Sequence, residues 1–124
     1  MKVKCIRLLN ADGKEVKSSS WLKLGQVYHV MGIYVAPDGR RSFRIISRHP
    51  QGEWPQMGYQ NAECFEVISE KVPSNWREWE NKNACGIGPE AWQTSGFLEA
   101  FCDHDPATYP IFERERDIIL REDP

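Results

Sequence analysis

The chain has 124 residues, of which 40% are hydrophobic and 27% charged, with five Trp, five Phe, four Tyr and a net charge of -2. That mixture belongs to a globular domain with a core and is far from that of a disordered chain, and no apolar run approaches the roughly 20 residues that span a bilayer. The charge is divided: residues 1–61 carry ten Lys and Arg against four Asp and Glu, and residues 62–124 carry six against fourteen. Such a field steers charged partners, although an acidic tail also serves simply to keep a surface solvated.

Residues 3–10 are apolar and basic and read as a strand, ending at Asn10-Ala11-Asp12-Gly13, where Asp and Gly supply turn chemistry. Residues 26–35 come next as one strand, with Val27, His29, Met31, Ile33 and Val35 alternating onto a single face. Ala36-Pro37-Asp38-Gly39-Arg40 is a hairpin signal: Pro fixes φ and Gly is free to take φ > 0. Residues 41–48 return as a strand, Phe43 and Ile45 facing one way, Arg44, Ile46 and Arg48 the other. A polar loop with His49, Pro50, Gly52 and Pro55 separates it from residues 62–69, the last clear strand of this part. Short strands joined by tight turns predict a twisted antiparallel sheet or a small SH3-like barrel.

Val72-Pro73-Ser74-Asn75-Trp76 interrupts regular structure and reads as a joint, with Trp76 and Trp79 as anchors pinning the second part onto the first. A short extended piece around residues 83–87 ends at Gly86 and Gly88. The remainder reads as helical. Residues 89–92 form a single turn, and Phe97 and Phe101 lie at i and i+4 of one helix. Asp105 caps a final helix that Pro106 opens, with Ile111, Phe112, Ile118 and Ile119 as its apolar stripe and Pro110 as a flaw in its first turns. The expectation is therefore an α+β chain of one domain: residues 1–71 strand-rich, residues 72–124 mainly helical and packed on them, with two C-terminal helices.

Chemistry-bearing patterns are few. Cys102-Asp103-His104-Asp105 offers metal-ligand types in a row, but adjacent side chains cannot all converge on one ion, and no second ligand pair exists; a helix junction is the reading preferred. Gly86-Ile87-Gly88-Pro89 lacks the Lys and the backbone donors of a phosphate loop. No local pattern joins Cys or Ser to His29, His49 or His104 as a nucleophile and its base. No catalytic residue, metal or cofactor is expected. Cys5, Cys64, Cys85 and Cys102 are scattered, and no targeting segment precedes them, so reduced, mostly buried thiols in the cytoplasm are expected.

Two binding readings remain. Arg40, Arg41, Arg44 and Arg48, with Tyr28, Tyr34, Phe43 and Trp54 near them in sequence, resemble the basic, stacking surface of a single-strand nucleic-acid binder; the acidic second half and a pI near 5.9 oppose that. The other is protein recognition by an acidic surface with aromatic anchors: Trp76, Glu78, Trp79, Glu80, Glu90, Glu99, Asp103 and Asp105, with Trp92 either in that surface or in the core.

Pro73-Ser74-Asn75-Trp76, Trp92, Gly96-Phe97-Leu98-Glu99-Ala100-Phe101, Asp105-Pro106-Ala107 and Phe112-Glu113-Arg114-Glu115 carry a resemblance. They are similar to a group of small bacterial proteins with a strand-rich front and a helical tail, some of which are immunity proteins for polymorphic or contact-dependent toxins. Pro110 and Leu98 depart from the choices usual there. The resemblance brings no catalytic residues. It implies a cytoplasmic binding protein that occludes the basic cleft of a cognate toxin, such as a nuclease; nucleic-acid binding by the basic half is the alternative.

Overall fold

The computed structural model describes residues 1–124 and has an α+β fold. Eight strands form two antiparallel sheets: β1 (Lys2–Cys5), β2 (Val27–His29), β3 (Gly32–Val35), β4 (Arg41–Arg48), β5 (Gln56–Asn61), β6 (Phe65–Ser69), β7 (Trp76–Asn81) and β8 (Ala84–Pro89). The three-stranded sheet has the order β2-β1-β6 and the five-stranded sheet the order β5-β4-β3-β8-β7. Both sheets are open, so of the two architectures expected the chain adopts the sheet and not the closed barrel. Two helices complete the chain, α1 (Phe97–Cys102) and α2 (Tyr109–Glu122).

The β3–β4 hairpin forms where its turn chemistry places it. Gly39 takes φ +88°, the Ala36 N–H donates to the Arg40 carbonyl at 2.9 Å, and Asp38 accepts from the Arg40 backbone N–H at 3.0 Å. Register then pairs Ile33 with Phe43 and Val35 with Arg41. Phe43 and Ile45 point inward, at 1% and 0% exposure, and the Phe43 ring lies 5.8 Å from that of Phe65 on the other sheet.

Several expectations change. The first strand stops at Cys5, short of the residues 3–10 expected. The single strand over residues 26–35 is broken at Val30-Met31, both fully buried, so that β2 enters one sheet and β3 the other. The Val30 N–H donates to the Met1 carbonyl and the Met31 N–H to the Arg44 carbonyl, which divides the backbone between the sheets. Tyr28, not Val27, is consequently the inward residue of β2. Residues 56–61 form a strand where a loop is expected, while residues 62–64 are a 3-10 turn before β6. The expected joint leads not into helix but into the β7–β8 hairpin, whose β8 pairs with β3. Strand-rich structure therefore reaches Pro89, and the division at residue 71 does not hold.

The helical part agrees with the sequence more closely. Glu90–Gln93 is a 3-10 turn, and Phe97 and Phe101 of α1 are buried together. Asp105 accepts from the Ala107 N–H at 3.0 Å and caps the 3-10 turn Pro106–Thr108, which continues into α2. Because α2 begins only at Tyr109, Pro110 lies in its first turn, where an N–H has no intrahelical acceptor anyway; it is no flaw. Trp92, Phe97, Phe101 and Phe112 form a stacked series, with centroids 4.8 Å apart for Phe101–Phe112 and 5.7 Å for Trp92–Phe112. Full burial of each such ring contributes about 1.5–3 kcal/mol. One core cluster runs from Met1 to Ile119 and joins the sheets to the helices.

Candidate binding site

The main cleft lies on the side of the five-stranded sheet away from Phe43 and Ile45. Its volume is about 570 Å³, and its walls come from β4, β5, β7, β8, the turn at residues 90–96 and α1. Cross-strand register builds it. Arg44 pairs with Tyr59, and Gly86 pairs with Tyr34 on one side and Trp79 on the other. Residues paired across a sheet share a face, and Gly86 offers no side chain to hold its neighbours apart. Trp79 therefore lies over the Gly86 backbone, 5.9 Å from Tyr34, whose ring is 5.7 Å from Tyr59. The Arg44 guanidinium closes the row, 4.4 Å above the Tyr59 ring.

Beside this row Gly88 lies next to Gly32 on β3, so part of the lining is bare backbone. Gln93 fixes the overlying turn by donating to the carbonyls of Arg77 at 2.7 Å and Gly88 at 3.0 Å. Glu80 and Glu99 also line the cleft.

The Arg44 side chain is half-buried and makes no hydrogen bond or ion pair with another group of the protein. Burial pulls its pKa below the ordinary guanidinium value, opposed by Tyr59 and Cys102. Tyr59 is shifted the other way: burial raises its phenol, and Arg44 partly restores it. A cation stacked on one aromatic face keeps some stabilisation through the ring quadrupole, but its N–H donors remain available to an anion.

Of the surface residues expected from sequence, Trp79, Glu80 and Glu99 meet at this cleft. Trp76 does not belong to any surface. It is 4% exposed and part of the core, because β7 turns Trp76 inward and Trp79 to the opposite side. Trp92, at 1% exposure, is likewise a core residue with an edge on the cleft. Glu78 is exposed on β7, and Glu90 is exposed 3.7 Å from Arg77. Asp103 is exposed after α1, while Asp105 is engaged as the cap. The Cys102-Asp103-His104-Asp105 run spreads apart as a helix junction: His104 takes φ +61° and stacks on Trp54 at 5.0 Å.

The basic residues of the alternative reading are dispersed. Arg40 is paired with Asp38 at 2.7 Å on the hairpin, Arg41 lies over Phe43, Arg44 is in the cleft, and Arg48 ends β4. Sequence reasoning misses Tyr59, since β5 does not stand out as a strand, and it takes Gly86 and Gly88 only as the end of an extended piece. The alternation of β4 is the available signal: it already turns Arg44 away from Phe43 and Ile45.

No helix is long and apolar enough to cross a membrane. Comparison with known proteins finds no matching protein-family model, no matching curated protein and no matching solved structure.

Proposed function

We propose that the chain is an immunity-type protein that works in the cytoplasm and neutralises a cognate bacterial toxin by covering its basic active-site cleft, with no reaction of its own. One observation carries this reading. The exposed carboxylates Glu78, Glu80, Glu99 and Asp103 form no ion pair within the chain, and two of them, Glu80 and Glu99, flank the same cleft as Trp79. Carboxylates without internal partners add nothing to the fold and create self-repulsion; opposite a basic surface they accelerate encounter. Trp79, half-buried against Tyr34, supplies a rigid aromatic contact near them. A stable complex would bury about 1,200–2,000 Å² in all.

The test is co-expression and co-purification with a toxin encoded beside this chain, then kinetics on the isolated complex. The triple variant E78K/E80K/D103K is expected to slow association at least about tenfold at low salt, with a smaller difference at high salt. An unchanged association rate discards this surface. Retention of the purified chain on single-stranded DNA or RNA, with no protein captured, transfers the assignment to the nucleic-acid alternative.

A further inference from the structure

The acidic rim explains nothing about Arg44, the one cation inside the cleft. Its guanidinium is half-buried, touches the Tyr59 ring at 4.4 Å and finds no carboxylate, carbonyl or hydroxyl of the protein to receive its N–H groups. A guanidinium removed partly from water without such a partner costs stability, and a planar anion recovers that cost through two parallel hydrogen bonds. One part of the lining is flat, where Trp79 offers a ring and Gly88 offers bare backbone that a ring can approach closely, while Asn81, Thr94 and Ser95 make the rest polar. A cleft of about 570 Å³ is in the range of small-molecule sites.

We propose that this cleft binds a small aromatic monocarboxylate, its carboxylate on the Arg44 guanidinium and its ring against Trp79 and the backbone of Gly88. The charge balance selects the class. A single anion is matched by Arg44, the one cation of the lining, whereas a polyphosphate would bring further negative charges with no second cation to meet them and with Glu99 nearby in the lining. The ligand site shares Trp79 with the toxin-neutralising surface but rests on Arg44, which that reading does not use, so the acid–amide comparison on the isolated chain tests it separately.

Indole-3-carboxylate serves as the probe, with indole-3-carboxamide as its uncharged counterpart and adenosine monophosphate as a phosphate control. Binding is monitored by nitrogen–proton correlation NMR on the full chain. Saturable shifts are expected at the Trp79 indole N–H and the Gly86 and Gly88 amides. The carboxamide should bind at least about tenfold more weakly, a loss of about 1.4 kcal/mol. Arg44→Met should weaken the carboxylate by a similar factor and leave carboxamide binding unchanged. Equal affinity for acid and amide, no saturable shift with the acid, or tighter binding of the phosphate would each overturn the proposal. The acid–amide comparison uses the unaltered chain, so it decides the matter even where Arg44→Met does not fold.

Discussion

A methyl group added at Gly86 would fall against the carbonyl oxygen of Ile33 and lie 2.5 Å from Cζ2 of Trp79. The oxygen belongs to the neighbouring strand and cannot retreat without separating β3 from β8; the indole can yield only by leaving Tyr34. Gly86→Ala is thus expected to cost about 1–3 kcal/mol, seen as a lower urea midpoint at unchanged slope. An unaltered midpoint would mean that the indole does not cover this residue. At this scale the sequence is legible where alternation is strict. Phe43 and Ile45 read as facing one way and Arg44 the other, and all three are so placed. It is illegible where a side chain's neighbours come from distant strands. Nothing local tells that Arg44 sits on Tyr59, or that Trp76 is core while Trp79, only three residues later, lines a cleft.

Among the elements, α2 is fastened at its end by carboxylates. Glu122 accepts from both the hydroxyl and the backbone N–H of Ser74, and Asp123 accepts from the Ser69 hydroxyl at 2.6 Å with Lys2 3.9 Å away. The Ser74 hydroxyl bond is the chief cause that holds Glu122 below its ordinary pKa, and the Ser69 bond is the chief cause for Asp123. A carboxylate whose folded pKa is depressed stabilises the fold above the ordinary carboxylate range, about pH 4, and loses that contribution as pH falls through the depressed value. The variant E122Q/D123N should therefore show a shallower fall in urea midpoint below about pH 4 than the unaltered chain. Parallel curves would remove this clamp from the acid response. The helices themselves are readable because their caps and stripes are local: Asp105, Pro106, Phe97 and Phe101 announce them. β5 is not, since Gln56–Asn61 is polar, contains Gly58 and becomes a strand only by pairing with β4 at the sheet edge. β7 is hidden for a similar reason. Its Trp76 and Trp79 are three residues apart, which mimics a helical face, and its partner β8 contains two glycines.

For the molecule as a whole, the four free cysteines sample different depths. Cys5 and Cys64 are buried, Cys85 is half-buried and Cys102 is exposed. Burial raises the Cys5 thiol, with Cys64 adding to the effect, and burial likewise raises Cys64. Since the thiolate is the reactive form, native alkylation by iodoacetamide should label Cys102 first and Cys85 more slowly, with Cys5 and Cys64 protected until the chain unfolds. Intact-mass spectrometry counts the labels; early modification of Cys5 or Cys64 would show that the β1–β6 region opens locally. The depth of each thiol thus reports on folding, and the order of the strands bears on how the protein is made. β3 is only four residues long, yet it is the centre of the five-stranded sheet, joined to β4 on one flank and to β8, from far along the chain, on the other. A ribosome delivers the first flank early and the second late, so the nascent polypeptide carries an unsatisfied strand border until residues 84–89 emerge. Such distant pairing is slow to form, and during that interval the partly synthesised chain is at its most prone to self-association.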